Sequence, residues 1–350
     1  MEKFIVSRDD SIYEAWPDVV LTRSGRMICV FTECEHHLNR DQSRIVWVTS
    51  DDRGRTWSKK RALTEYGTDS LSFNNARLSQ LSDGRIALVC DLVRRNRHSK
   101  PRYGKCEVFL WFSTDDGESW EAPQLTAAEG VVPDRIVELA SGRWLLAAHN
   151  PLPSPESGTL AEYVWYSDDK GATWSEKIVL AADERYNLCE ASLVEVESNV
   201  VIAFLRENSR QGWDCFKAIS KDGGETWEGV YHVPLPGCQR PTAGITREGD
   251  LMITYRFRQG GRGGFGNSTQ NMFGAFLPLS EAILMSRSQQ KANIFPLDHD
   301  RSPVGDLGYT GWVQFDDGEF YVVNYIVDDA PKAQIRGIAF RRDEVALQGE

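Results

Sequence analysis

Long apolar runs and an excess of positive charge are both missing from this chain of 350 residues. No segment approaches the roughly 18 uninterrupted apolar residues of a membrane-spanning helix, and the first residues carry no long apolar stretch or small-residue cleavage site. The net charge is -11, whereas binding to nucleic acid or to an anionic membrane requires a basic face. We therefore expect a soluble, cytoplasmic protein that binds neither.

Motifs for metals, cofactors and disulfides are also lacking. The seven cysteines are an odd count without Cys-x-x-Cys or zinc-type Cys/His spacing. The Gly-rich stretch 259–267 lacks the Lys-Ser/Thr of a phosphate loop, so we expect a rim loop of blade five there, facing a glycan. The sequence predicts reduced thiols, no metal and no cofactor. It leaves the oligomeric state open.

The chain does contain four copies of one phrase, Ser-x-Asp-x-Gly-x-Thr/Ser-Trp, at 50–57, 113–120, 167–174 and 220–227. We call these segments the Asp boxes. Each follows a β-rich apolar run, and the last three are roughly 55 residues apart, which indicates a repeated sheet unit. Asp and Gly suit a tight turn, and Trp can pack against the next unit. We expect a structural role for Asp52, Asp115, Asp169 and Asp222.

Six hairpin signals, each with a small turn, divide the chain into repeating units. The predicted fold is all-β: a single domain over 1–350, a six-bladed β-propeller with four-stranded antiparallel blades. The approximate blade limits are 11–65, 70–127, 130–182, 187–235, 238–298 and 305–350. Residues 1–9 close the ring, with 4–7 as an outer strand of blade six, and 280–290 is expected to contain a short helix.

The innermost strand of a propeller blade begins at the mouth of the central channel, so positions counted from each turn give layers of one site. Nine positions before the turns lie Trp16, Asn75, Pro133, Glu190, Arg240 and Tyr309. Two positions further along lie Asp18, Arg77, Arg135, Ser192, Thr242 and Gly311. Seven positions after the turns lie Thr32, Asp91, His149, Arg206, Arg256 and Tyr325. Buried charges need partners or a charged ligand, so these layers predict either a ligand site or internal ion pairs.

The Asp boxes, the blade count and the segment 308–318 resemble the sialidase (neuraminidase) superfamily, and the resemblance covers nearly the whole chain. It implies that Tyr309 is a nucleophile and that Glu190 is its base; a neutral phenol suits a sugar whose own carboxylate would repel an anion. It implies that Arg206 binds the sugar carboxylate. It implies that Asp41, or a histidine of the same loop, donates the proton.

The sequence departs from that family at two arginines. Ala15-Trp16-Pro17 stands where blade one usually begins with Arg-Ile-Pro, and Gln270 stands near the arginine of blade five. Two explanations remain open. A rearranged clamp would use Arg240, Arg256 and Arg258. A different sugar, acidic or neutral, would stack on Trp16 and Trp312.

The resulting prediction is an exo-acting glycoside hydrolase that releases a terminal, acidic sugar, with a carbohydrate as its partner. The predicted catalytic residues are Tyr309, Glu190 and Asp41. The predicted substrate-binding residues are Arg206, Arg240, Arg256, Arg77, Arg135, Asp18, Trp16 and His149. The alternatives are a non-catalytic glycan-binding propeller and a polysaccharide lyase acting on uronate-containing chains.

Overall fold

The computed structural model describes residues 1–68, 71–95, 103–152, 159–209, 211–258 and 270–345. These residues form six four-stranded antiparallel sheets in a ring, the predicted six-bladed β-propeller. The first strand is β1 (Glu2–Ser7). Blade one contains β2 (Tyr13–Leu21), β3 (Met27–Cys34), β4 (Arg44–Ser50) and β5 (Arg61–Ala62). Blade two contains β6 (Leu71–Gln80), β7 (Ile86–Arg95), β8 (Tyr103–Ser113) and β9 (Gln124–Glu129).

The remaining blades follow the same order from the channel outward. Blade three contains β10 (Val137–Glu138), β11 (Trp144–Pro151), β12 (Leu160–Ser167) and β13 (Ile178–Ala181). Blade four contains β14 (Leu188–Glu197), β15 (Val200–Glu207), β16 (Asp214–Ser220) and β17 (Glu228–Pro236). Blade five contains β18 (Cys238–Ile245), β19 (Leu251–Arg258), β20 (Gln270–Leu277) and β21 (Asn293–His299). Blade six contains β22 (Leu307–Gln314), β23 (Phe320–Ile326), β24 (Gln334–Phe340) and β1.

The N-terminal strand completes blade six. β1 pairs antiparallel with β24, with Glu2 opposite Ala339. Within the expected helical segment 280–290, the structure has a four-residue helix, α1 (Leu279–Ala282), and a 3-10 turn over Arg287–Gln289. The Gly-rich stretch 259–267, expected to form a glycan-facing rim loop, lies outside the described residues.

The Asp boxes close the turn between the third and fourth strands of blades one to four. Asp52 accepts hydrogen bonds from the Ser50 hydroxyl at 2.8 Å and from the Thr56 amide and hydroxyl at 2.9 and 2.6 Å. The same three bonds recur at Asp115, Asp169 and Asp222. Each box glycine has a positive φ, and a Cβ on Gly54 would meet Tyr321 of blade six. The boxes therefore stabilise their own blade and its contact with the preceding one.

Apolar side chains fill the spaces between blades. One buried cluster joins Leu110 of blade two to Trp144 of blade three, and another joins Phe204 of blade four to Tyr255 of blade five. All seven cysteines are buried. Within the described ranges no helix is long and apolar enough to cross a membrane, and no group of three or more His, Cys, Asp or Glu side chains is placed to hold a metal ion.

Candidate active site

A repeated backbone distortion places side chains at the mouth of the central channel. In five blades the innermost strand is bulged at one position. The residue at that position has a left-handed φ: Trp16 55°, Asn75 52°, Glu190 55°, Arg240 50° and Tyr309 41°. Such angles are uncommon outside glycine and concentrate at functional sites.

Blade three differs from the predicted layer. The left-handed residue there is Val132, with φ 54°, and not Pro133. The proline ring holds φ near about −65°, so Pro133 cannot adopt this conformation and the distortion falls one residue earlier. The innermost strand of this blade is also shortened to Val137–Glu138.

The second strands return to the same mouth. Arg206 lies opposite Cys189, Arg256 opposite Gln239 and Tyr325 opposite Gly308, each facing the residue before a bulge. The predicted residues of this layer are all buried: Thr32, Asp91, His149, Arg206, Arg256 and Tyr325. Two polar layers from different blades therefore meet around the axis.

Three predicted residues meet in one hydrogen-bonded group. The Tyr309 hydroxyl donates to Oε1 of Glu190, which lies 119 positions away in the chain. Nη1 of Arg206 donates to both Glu190 oxygens at 2.9 and 3.0 Å, and its Nη2 donates to Asn208 at 2.6 Å. Glu190 and Arg206 are only 4% and 7% exposed. The partly buried phenol, the buried carboxylate and the buried guanidinium thus form one hydrogen-bonded unit.

The ionisation of this unit follows from its charges. Burial acts to raise the pKa of Glu190, but the attraction of Arg206 and Arg240 outweighs it and lowers that pKa to about 2. Burial and the adjacent Glu190 charge raise the pKa of Tyr309. At neutral pH a neutral phenol therefore donates to an ionised carboxylate, so Glu190 can accept the phenol proton when Tyr309 attacks an electrophile.

Arg240 and Arg256 both lie close to the ring of Tyr309. Their guanidinium carbons are 5.9 and 5.3 Å from the centre of its ring. The Nη atoms of Arg240 donate to the carbonyls of Ala191 and Pro133 at 3.3 and 3.0 Å. Nε of Arg256 donates to Gln239 at 3.0 Å. Both side chains bring positive charge to the site while their hydrogen bonds hold neighbouring strands.

His149 supports Glu190 from blade three. Its Nδ1 accepts the Glu190 amide at 3.4 Å. Burial lowers the pKa of His149 to about 4, and the positive charges of Arg240 and Arg206 act in the same direction. The imidazole is therefore neutral near pH 7.

Arg77 and Asp18 lie among residues deeper in the channel. Nε of Arg77 is 3.5 Å from the Asp18 carboxylate, and its Nη1 donates to the Thr310 carbonyl at 2.9 Å. Asp18 also accepts the amide of Leu78 at 2.9 Å. These contacts tie blades one, two and six together, as expected of internal ion pairs. Arg135 is half-buried, and its Nη2 has no hydrogen-bond partner among the described residues.

Trp16 forms the wall of the mouth in blade one. It is 2% exposed, and its indole Nε1 has no hydrogen-bond partner within the described part of the chain. The His37 ring lies 5.4 Å from it, edge-on, and the Arg40 guanidinium lies 4.7 Å above it. Asp41 follows on the same loop and is partly exposed.

Asp306 and Tyr13 also lie at the site, although the sequence patterns did not predict them. Asp306 accepts the Tyr325 hydroxyl at 2.9 Å and the Tyr13 hydroxyl, and its Oδ2 is 2.6 Å from Nδ1 of His37. Each of the two missed residues lies three positions before a bulged residue, Tyr309 or Trp16. That shared offset is a signal which could have identified them.

Gln270, which stands near the position of the family arginine of blade five, and Trp312, expected as a stacking platform, both have structural contacts. The Gln270 amide group donates to the Gly305 carbonyl at 3.2 Å and accepts from the Leu307 amide at 3.4 Å, so it fixes the segment that carries Asp306. Trp312 packs between blades five and six and donates to the Thr242 carbonyl at 3.1 Å. The idea that Trp312 is a stacking platform for a sugar is therefore wrong, because its ring is part of the core.

A six-bladed propeller with Asp boxes and a Tyr–Glu–Arg centre defines a protein of the sialidase superfamily. More specifically, residues 69–322 match the family described as "BNR repeat-like domain", and the chain belongs to that family.

Known proteins resemble this chain in sequence or in fold. A sialidase of Bacteroides fragilis (strain YCH46) is 25% identical over 258 residues, which are 63% of this chain and 44% of that protein. This chain thus spans less than half the length of that relative. A Dyadobacter fermentans protein of unknown function has 22% identity, a TM-score of 0.78 and 97% coverage of both chains. The Hadza microbial sialidase Hz136 has 16% identity and a TM-score of 0.71 over 98% of this chain and 69% of that one.

Proposed function

We propose that the chain is an exo-acting glycoside hydrolase that releases a terminal, acidic sugar from a glycan. The observation that carries this proposal is the hydrogen-bonded group of Tyr309, Glu190 and Arg206, in which a neutral phenol donates to an ionised carboxylate. Tyr309 attacks the anomeric carbon and passes its proton to Glu190, and water later releases the sugar from the tyrosine.

The charges around Tyr309 support an acidic substrate. Arg206, Arg240 and Arg256 outnumber the carboxylates Glu190 and Asp306 near the phenol. A carboxylate on the anomeric carbon would repel an anionic nucleophile, whereas a neutral phenol avoids that repulsion. The similarity to bacterial sialidases supports the same class of substrate.

The test is incubation with chromogenic glycosides of sialic acid, other nonulosonic acids, uronic acids and neutral hexoses. We expect release from at least one acidic glycoside, and the Tyr309→Phe variant should lose it while keeping the wild-type unfolding temperature. Unchanged rates in the Tyr309→Phe variant would contradict the role of Tyr309 as the nucleophile. Release from neutral hexosides alone would contradict the acidic substrate.

A glycan-binding propeller without catalysis is the second candidate. It is favoured by the internal hydrogen bonds of Arg240 and Arg256, which leave fewer donors for a sugar carboxylate. Calorimetric binding of a sugar from the same panel, with no release over hours, would establish this candidate instead of the hydrolase.

A further inference from the structure

Asp306 and His37 form a hydrogen-bonded pair at the mouth of the channel. Nδ1 of His37 is 2.6 Å from Oδ2 of Asp306, although the two residues are 269 positions apart. Burial acts to raise the pKa of Asp306, but the hydrogen bond from His37 and the charges of His37 and Arg256 outweigh it and lower that pKa to about 2. The ionised carboxylate fixes which imidazole nitrogen faces inward, so Nε2 faces away from Asp306.

The carboxylate is held in place from several sides. The hydroxyls of Tyr13 and Tyr325 donate to it, and Nη1 of Arg256 lies 3.8 Å from Oδ1. The Asp306 amide donates to Asp300 at 2.9 Å. Such a fixed acceptor orients the histidine ring that it contacts.

The pair borders the same opening as the proposed nucleophile. The His37 ring contacts Trp16, whose ring is 6.1 Å from Tyr325, and the Tyr325 ring is 6.3 Å from that of Tyr309. The His37 side chain is 31% exposed. It therefore stands at the solvent side of the mouth, where the departing part of a glycan would lie.

We propose that His37 is the proton donor of the reaction and that Asp306 is its positioning residue; this rests on the proposed hydrolase function. In the first step the Tyr309 oxygen bonds to the anomeric carbon and the glycosidic bond breaks. The doubly protonated His37 ring, whose Nδ1–H donates to Asp306, gives its Nε2 proton to the leaving oxygen and becomes the neutral Nδ1-protonated imidazole. The phenol proton passes to Glu190. In the second step water bonds to the anomeric carbon and gives a proton to His37, while Tyr309 departs and regains its proton from Glu190.

Leaving-group dependence tests this role. Wild type and His37→Gln are compared on two glycosides of the sugar that the panel identifies, one with a methyl group and one with a 2,4-dinitrophenyl group. Dinitrophenolate needs no proton to depart, so the variant should lose at least about 100-fold in kcat/KM on the methyl glycoside and only a few-fold on the other. Azide should accelerate the variant on the dinitrophenyl glycoside.

His299→Gln is the matched control. His299 also has its Nδ1 against a side chain, that of Asn271, but it lies on the outermost strand of blade five. We expect wild-type rates on both glycosides. An Asp306→Asn variant should shift His37 away from the Nδ1-protonated tautomer, as measured by imidazole 15N NMR.

Three results would overturn the assignment. Equal losses on both glycosides in His37→Gln would show that the histidine is not the proton donor, and Asp41→Asn giving the leaving-group signature instead would transfer the role to Asp41. A wild-type protein without activity on any glycoside would overturn both this inference and the proposed function. Because wild-type activity is measured first, the two failures are distinguished.

Discussion

The Asp boxes and the channel mouth use repetition in opposite ways. Every box has the same aspartate, the same hydroxyl partners and a glycine with positive φ. At the mouth the distortion of the backbone repeats in five blades, but it carries a tryptophan, an asparagine, a glutamate, an arginine and a tyrosine.

The difference follows from what each side chain contacts. A box aspartate bonds within its own turn, so the same residues serve each of the four blades that contain a box. Side chains at the mouth contact other blades, as Glu190 of blade four contacts Tyr309 of blade six. Because these five positions have different neighbours, they carry five different residues.

The largest expected effect is a loss of activity when a residue of the channel mouth is changed. Glu190→Gln keeps an acceptor for Tyr309 but removes the base, so kcat/KM should fall by about 10²–10⁴ on the glycoside that wild type cleaves. Glu207→Gln is the control, since Glu207 bonds to the amides of Asn187 and Ser209. Wild-type rates in Glu190→Gln would place the base elsewhere.

The next effect concerns the stability of the mouth. Arg206→Met leaves the buried Glu190 carboxylate without its ion-pair partner, so the free energy of unfolding should fall by about 3–5 kcal/mol in urea denaturation. Adding Glu190→Gln to that variant should restore part of the loss, because the uncompensated charge is gone. If Arg206→Met alone is as stable as wild type, other groups must compensate the charge of Glu190.

The pH dependence of the free energy of unfolding should differ between the channel mouth and the Asp boxes. The pKa of His149 is about 4 in the folded protein, whereas an unperturbed histidine has a pKa of about 6.5. Its stabilising effect is therefore complete above about pH 6.5 and is lost as pH falls through about 4. The free energy of unfolding of wild type relative to His149→Gln should therefore drop by up to about 3 kcal/mol between pH 7 and 4. Equal pH profiles would contradict the buried neutral histidine.

At lower pH the stability that the Asp boxes contribute should decrease. Burial acts to raise the pKa of Asp52, but hydrogen bonds from Thr56 and Ser50 lower it to about 2. The stability gained from that depressed pKa is present above about pH 4 and is lost as pH falls through about 2.

The smallest effect should be the same in every box. Asp52→Ala and Asp222→Ala each remove three hydrogen bonds within a turn and should each cost about 1–2 kcal/mol in urea denaturation, with activity unchanged. Asp51→Ala is the control; its ion pair with Arg26 is exposed, so its loss should be under about 1 kcal/mol. Unequal losses in the two boxes would contradict their equivalence.

Local patterns in the sequence were sufficient for the fold and for much of the mouth. Counting from the turns located Trp16, Glu190 and Tyr309, because a fixed strand length separates each turn from its bulge. The count was wrong by one residue at Pro133, because the pyrrolidine ring of proline cannot adopt the left-handed φ that the bulge requires.

Contacts between loops could not be predicted in this way. His37 and Asp306 lie in segments without periodicity, and only the closed ring brings them together. Trp312 resembled a sugar platform in sequence, but its neighbours in blade five make it part of the core.

Because β1 pairs with β24, blade six cannot be completed until β24 has been synthesised. Glu2 emerges from the ribosome well before its partner Ala339, which lies more than 300 residues later in the chain. Until β24 has been synthesised, the residues of β1 have no partner strand, and their unpaired backbone amides can pair with other nascent chains. A fusion partner that sequesters the first seven residues would therefore delay ring closure in the cell even where it leaves the finished protein intact.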